Sequence, residues 1–393
     1  MSQPAAAALA QLVERAEALA YDVEYSAVRA WKERHPGALA IGFVPVWAPR
    51  ELIAACGALP VGVVGGGDKV EIIKGDACYQ SYVCHLPRSV VELGLNGRLD
   101  CLDGMLFPSI CDVIRNLSGV WKLLFPNKLS HYLDLPQDFD PEIGGDFFRA
   151  ELAQLVELLV ARGARRPTPA SWRQAITEHN ENRHLVEELH ALRREQPWRV
   201  PTSEAYVVAR AGCVLPATEH SALLRDYLAL VRAVPRAPLD NARVVVAGAF
   251  CEQPPLDLLK TLERAGCYIV GDDFLLAPRF VRADVPLEGD PLAAIANTWL
   301  AHAQPHASVW TRAGTKGDDL VALARKAGAE GVLFAAPSFC DPALLDQPMQ
   351  EAACGRAGLP HMHFKYSENS GQFQGIREQA GTFADAIKLW SGA

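Results

Sequence analysis

Two cysteines stand in the same local setting in opposite halves of this sequence. Pro108-Ser109-Ile110-Cys111-Asp112 and Pro337-Ser338-Phe339-Cys340-Asp341 each follow an apolar run that reads as a buried strand, Asp103 to Phe107 in the first copy and Glu330 to Phe334 in the second. The second copy carries alanines ahead of its proline (Ala335-Ala336-Pro337). A helical pattern follows each cysteine, so both thiols face the positive end of a helix, which favours thiolate over thiol. Soft, charged thiolates are the ligands of iron-sulfur clusters. Cys84, in Tyr82-Val83-Cys84-His85-Leu86-Pro87-Arg88-Ser89, is a third candidate, with Cys78 as its rival. Cys56, Cys101, Cys213, Cys251 and Cys267 lie in apolar surroundings, where cysteine ordinarily packs as a small hydrophobe. No C-x-x-C pair is present, and spacing alone leaves cluster ligation and structural packing both open.

Short apolar runs alternating with helical stretches must position these thiols. Ala40 to Val46, Leu59 to Val64, Leu102 to Phe107 and His131 to Leu135 read as strands, and the alternation predicts a parallel sheet. Helical segments then follow one another, at Phe147 to Ala164, Ser171 to Arg194 and Ser221 to Val234. Strand-like runs return at Val244 to Ala249, Tyr268 to Gly271, Gly331 to Ala336 and His361 to Tyr366, with helices near 255–266, 318–328, 342–356 and 372–390. Ile41 to Val46 followed by Pro49-Arg50-Glu51-Leu52 resembles Val244 to Ala249 followed by Pro254-Pro255-Leu256, so the two halves match beyond the cysteine motif. This period far exceeds that of a solenoid repeat.

The expected architecture is α/β, with two Rossmann-like, doubly wound parallel-sheet domains joined by a helical segment. The boundaries read as an N-terminal helical lead-in at 1–37, a first α/β domain at 38–164, a helical connector at 165–238 and a second α/β domain at 239–393. Ligands of such sheets sit beyond the carboxyl ends of the strands, where Cys111 and Cys340 fall.

Composition narrows the function classes. The chain has 393 residues, half of them hydrophobic, enough for sizeable cores. A formal charge of -8 gives no general attraction to nucleic acid or to an anionic membrane. The N-terminal residues lack a secretory signal pattern and no apolar run is long enough to span a bilayer, so the expected location is cytoplasmic, with the ten cysteines mostly reduced.

Several motifs, in order and nearly end to end, resemble the 2-hydroxyacyl-CoA dehydratase and benzoyl-CoA reductase family. They are Pro49-Arg50-Glu51-Leu52 with Ala55-Cys56-Gly57-Ala58-Leu59-Pro60, Cys84-x-x-x-Arg88-Ser89, Cys111-Asp112-x-x-Arg115-Asn116-Leu117, and Phe339-Cys340-Asp341-Pro342 followed by Gly358-Leu359-Pro360-His361. Within the family the likeness is greatest to the smaller, C or gamma, subunit type of ATP-dependent benzoyl-CoA reductases. The resemblance implies that Cys84, Cys111 and Cys340 bind a 4Fe-4S cluster, with Cys84 preferred to Cys78 because the Cys-x-x-x-Arg-Ser pattern fits it alone. Three protein ligands leave one iron with an open position. The implied chemistry is one-electron reduction of a CoA thioester.

A buried acid with a pKa raised by burial would handle protons there. Glu51, following a strand end, is the candidate; its alternative role is a first-turn acid that complements the helix dipole.

Neither Gly65-Gly66-Gly67-Asp68-Lys69 nor Gly314-Thr315-Lys316-Gly317-Asp318 fits a phosphate-binding loop, and both read as turns. The family arrangement accordingly implies separate ATP-hydrolysing iron-sulfur activator subunits, ferredoxin as electron donor, a homologous substrate-binding partner subunit, and benzoyl-CoA or a related acyl-CoA as substrate. Alternatives are a subunit of a 2-hydroxyacyl-CoA dehydratase, a relative with a double-cubane cluster, and a non-catalytic electron-relay or scaffold subunit. His361 and His363 read as core or edge histidines, His179 and His184 as solvated, and Glu181, Glu187 and Glu188 with Arg183, Arg193 and Arg194 as an exposed helix face. Tyr366 to Gln372 resembles a family segment that lines the cleft or caps the last helix.

Overall fold

The computed structural model describes residues 3–44, 47–248, 253–274, 276–304, 316–367 and 373–391. The first half opens with helices α1 (Gln3–Ala20) and α2 (Ser26–Arg34), the expected amphipathic lead-in. It continues through β1 (Ala40–Phe43), α3 (Arg50–Ala55), β2 (Leu59–Gly62), α4 (His85–Leu95), β3 (Gly104–Pro108), α5 (Asp112–Leu124) and β4 (Leu129–Leu133). Helices α6 (Asp146–Ala161), α7 (Pro169–Glu195), α8 (Thr202–Ala211) and α9 (Ala217–Ala233) follow. The second half contains β5 (Ala242–Ala247), α10 (Leu256–Arg264), β6 (Cys267–Asp272), α11 (Pro291–His302), α12 (Asp318–Ala327), β7 (Gly331–Pro337), α13 (Asp341–Arg356), β8 (His361–Tyr366) and α14 (Gln374–Ser391).

Two four-stranded parallel sheets result, ordered β2-β1-β3-β4 and β6-β5-β7-β8. The orders are the same once the second is renumbered, as duplication predicts. In each sheet the chain builds outward from the first strand and then returns to its other side, so the switch point lies between the first and third strands, at their carboxyl ends. The central strands β1, β3 and β7 are buried at every position, which explains why they read as continuous apolar runs rather than alternating ones. Strand β7 is seven residues long and β3 five. A two-residue extension leaves side-chain parity unchanged, so both Pro-Ser-x-Cys segments leave their sheets in the same sense.

The core is continuous across the two sheets. Trp47, just beyond β1, contacts Phe148 of α6 as well as Phe280 and Trp299 from the second half, and Phe139 stacks on Trp299. Helix α7 touches both halves. It packs on α3, where Arg183 in its middle meets Glu51, and on β6, where Arg193 near its C-terminal end meets Asp272. The sequence pattern does not distinguish helices α8 and α11. Every residue of α8 except Glu204 is buried, so it lacks the polar face that makes helical periodicity visible. Among the described residues no helix is long and apolar enough to cross a membrane.

Candidate functional site

Cys84, Cys111 and Cys340 each occupy the N-cap position of a helix, α4, α5 and α13 respectively. Their surroundings show how the duplicated motif builds such a site. The Ser109 amide donates to the Leu133 carbonyl at 2.9 Å, and the Ser338 amide donates to the Tyr366 carbonyl at 2.7 Å, each pinning the loop after the third strand to the end of the fourth. The carbonyls of Cys111 and Cys340 then accept the first helical bonds, from Arg115 and Leu344, at 3.1 and 3.0 Å. The copies differ at the residue before the cysteine. Phe339 has φ of 64° and is 53 % exposed, whereas Ile110 is buried.

In the first half a loop brings further groups to the thiols. Glu92 of α4 accepts from the amides of Ile73, Lys74 and Gly75 at 2.9, 2.6 and 2.8 Å, tying the segment before Cys78 to the helix that Cys84 caps. Burial raises the Glu92 pKa, but the amides and Asn96 outweigh it and hold the carboxyl below its ordinary value. Arg88 pairs with Asp76 at 2.8 Å, and Ser89 accepts from the Gly66 amide at 2.6 Å. The Arg-Ser of the motif therefore fastens the 65–78 segment. That segment makes short turns, as expected for Gly65 to Gly67, while Gly314 and Thr315 lie outside the described residues.

Tyr79 is a site residue that no sequence pattern singles out. Its phenol is pushed above its ordinary pKa, first by burial and then by the neighbouring Cys78, Cys84 and Cys111. One side chain thus senses three first-half cysteines. Its hydroxyl is buried without a hydrogen-bond partner. An aromatic directly following a candidate ligand is the only signal the sequence offers.

Cys84 and Cys340 are buried, and Cys111 is partly exposed. The donor chemistry suits an iron-sulfur cluster: three cysteines at helix N-termini, two of them beside one phenol. Among the described residues, however, no three His, Cys, Asp or Glu side chains are close enough together to hold a metal ion. The remaining assignments to packing agree with burial at Cys56, Cys101, Cys213 and Cys267, and burial pushes the thiols of Cys56 and Cys267 up to about 12. Cys251 lies outside the described residues, as do residues 368–372 of the Tyr366 to Gln372 segment.

Glu51 lies in the first turn of α3, beyond the carboxyl end of β1, and is 4 % exposed. It forms an ion pair with Arg183 of α7. Burial raises its pKa, but Arg183 and the adjacent His179 more than reverse this, to about 2. The expected upward shift is therefore corrected: this carboxyl is held ionised. Arg183 in turn donates to the Asn180 side chain, whose oxygen also accepts from the Val285 amide at 3.0 Å.

The reading of α7 as an exposed charged face holds for Glu181, Glu187 and Glu188, which are exposed, and is corrected for Arg183 and Arg193, which are buried. His179 is buried as well rather than solvated, and burial pushes it down to about 4. His184 is solvated as expected, at 2.8 Å from Asp284. His361 is partly buried on the edge strand β8, and His363 is exposed at 3.1 Å from Glu351.

The chain resembles known proteins over nearly its whole length. It is 50 % identical over 388 residues to the C subunit of benzoyl-CoA reductase from Thauera aromatica, covering 97 % of this chain and 99 % of that protein. It is 25 % identical to the (R)-phenyllactyl-CoA dehydratase beta subunit of Clostridium sporogenes, covering 89 % and 92 %, and 27 % identical to the beta subunit of (R)-2-hydroxyglutaryl-CoA dehydratase from Acidaminococcus fermentans, covering 91 % and 94 %. Residues 45–387 match the model of the 2-hydroxyglutaryl-CoA dehydratase D-component family. With two sheets of the same order, paired cysteine junctions and this match in hand, the chain belongs to the 2-hydroxyglutaryl-CoA dehydratase D-component family.

Proposed function

We propose that this chain is the iron-sulfur, substrate-binding subunit of an ATP-dependent reductase acting on benzoyl-CoA or a related aromatic acyl-CoA. The observation that carries this reading is the 50 % identity to a benzoyl-CoA reductase subunit over nearly all of both chains, set against 25–27 % for the dehydratase subunits. Cys84, Cys111 and Cys340 are the proposed ligands of a 4Fe-4S cluster, supported by their shared N-cap positions. When bound, such a cluster supplies single electrons at low potential for transfer to the thioester. The helix N-termini favour the thiolate forms, and the Cys84 and Cys340 side chains are shielded from water by the surrounding core.

Glu51 is the proposed proton-handling carboxylate. Because Arg183 holds it ionised, it begins as an acceptor, and it can donate only after taking up a proton as that pair loosens. The proposed partners are a homologous substrate-binding subunit, ATP-hydrolysing iron-sulfur activator subunits and ferredoxin. The lack of a phosphate-loop pattern in this chain supports a separate ATPase.

The second reading, a subunit of a 2-hydroxyacyl-CoA dehydratase, is favoured by the family model and the more distant relatives. Anaerobic co-purification with its partner subunits, iron and sulfide analysis, EPR, and parallel assays with benzoyl-CoA and a 2-hydroxyacyl-CoA test both readings. Reduction of benzoyl-CoA supports the first; dehydration alone supports the second. Absence of iron from the assembled complex overturns the cluster assignment. Acyl-CoA bound only to the partner subunit makes this chain an electron relay or scaffold.

A further inference from the structure

The second half contains a buried cationic cluster that the proposed reaction does not use. Asp272, the last residue of β6, is fully buried between Arg193 of α7, at 2.6 Å, and Arg279 of the following turn. Its Oδ1 also accepts from the Phe274 amide at 3.0 Å, and Arg279 reaches the Asp272 carbonyl at 3.4 Å. One carboxylate thus faces two guanidinium groups that are each at most 5 % exposed. A further cation, Arg282, stands at the outer edge, held to Gln304 at 2.9 Å, with Glu187 as its own nearby acid. Burying an unbalanced charge ordinarily costs several kcal/mol.

A second observation points to what balances it. His190 lies one helical turn before Arg193 on the same face of α7. It is only 6 % exposed, yet neither ring nitrogen has a hydrogen-bond partner. The Nε–H groups of Arg193 and Arg279 are likewise buried and unpartnered. Buried donors in folded proteins are nearly always satisfied, and leaving one unmet is destabilising. The unmet polar atoms of this cluster are the two His190 ring nitrogens, the Arg193 and Arg279 Nε–H groups and the Asp272 Oδ2, which is charge-paired with Arg193 at 2.6 Å but not hydrogen-bonded; two guanidinium groups against one carboxylate leave a positive excess at the carboxyl end of a strand in a doubly wound sheet.

We propose that the His190, Arg193 and Arg279 cluster binds a small inorganic anion of chloride size, with Asp272 fixing the two arginines around it. The near-complete burial of all four residues limits the ligand to a compact ion, and an acyl-CoA phosphate or other organic anion does not suit so closed a position. The site is independent of the iron-sulfur reading.

Bromide has the same charge and nearly the same size as chloride, and it scatters anomalously. Crystals of the full chain, alone or in its complex, soaked in bromide should show an anomalous peak within hydrogen-bonding reach of His190 and at least one of the two arginines. In solution, replacing potassium gluconate with potassium chloride at constant ionic strength should raise the unfolding temperature saturably, by roughly 2 °C or more. Arg279→Lys and His190→Asn, which keep polar groups in place, should each abolish that chloride-specific rise. Water alone at the position in the bromide-soaked crystal would overturn the proposal. So would a chloride response equal in wild type and both variants.

Discussion

Arg183 and Glu51 are 132 residues apart in sequence, yet they form a buried ion pair that joins the long helix α7 to the carboxyl end of the first sheet. Ten residues further along the same helix, Arg193 makes the corresponding contact with Asp272 at the end of β6. One helix therefore fastens both sheets through charge pairs made beside their ligand-facing edges.

Removing one partner of a buried pair leaves the other charge without compensation, which ordinarily costs about 3–5 kcal/mol. Arg183→Met should therefore destabilise the chain by that amount in denaturant unfolding. The double variant Arg183→Met with Glu51→Gln should recover a substantial part, because it leaves no buried charge behind. A double variant as unstable as the sum of the singles would show that the two groups do not interact.

Stability should also fall on mild acidification. Burial holds His179 down to about 4 and His220 down to about 3, whereas unfolded histidine titrates near 6.5. Between those values the unfolded chain binds more protons than the folded one, so stability decreases as pH falls from about 7 towards 4. The slope reaches roughly 1.4 kcal/mol per pH unit for each histidine. Glu51 acts lower in the range: its stabilisation is present above its unfolded pKa of 4.5 and is lost as pH falls towards about 2. Denaturant midpoints measured from pH 7.5 to 4.5 should decline steadily below 6.5. A flat profile down to pH 5 would contradict the burial of these neutral rings.

The strands are legible in the sequence because a parallel sheet buried on both faces leaves continuous apolar runs, and the repeated cysteine junctions are legible because both halves keep the same residues at the same turn. Helix α7 misleads for a physical reason. His179, Arg183 and Arg193 resemble solvated residues in any local window, and only partners distant in sequence, Glu51 and Asp272, allow them to be buried. Tyr79 escapes notice similarly, since its relation to Cys84 and Cys111 arises from the folding of the 65–78 segment onto α4. Patterning detects which faces are apolar, but long-range polar pairing leaves no period to detect.

The loop preceding Cys84 depends on a close backbone contact. A Cβ on Gly75 would lie 2.2 Å from the Arg88 carbonyl oxygen, which α4 holds in place. Gly75→Ala must therefore push the 73–78 segment away from the helix and weaken the three amide bonds to Glu92. The expected result is destabilisation of about 1–3 kcal/mol, together with faster tryptic cleavage at Lys74. Wild-type stability and an unchanged cleavage rate would show that the segment is not fixed by this contact.

The choice of cysteines yields the sharpest test. Cys84, Cys111 and Cys340 cap helices, while Cys78 ends a short turn and is partly exposed. After anaerobic co-purification with the partner subunits, Cys84→Ser, Cys111→Ser and Cys340→Ser should each lose most of the iron bound by this chain and its EPR signal. Cys78→Ser should retain both. Cys56→Ala serves as a control, since its buried thiol is pushed up to about 12 and has no place in the ligand set. Iron loss in the Cys78 variant with retention in the Cys84 variant would move the first ligand to the turn beside Tyr79. Retention in the Cys340 variant would instead confine iron binding to the first half.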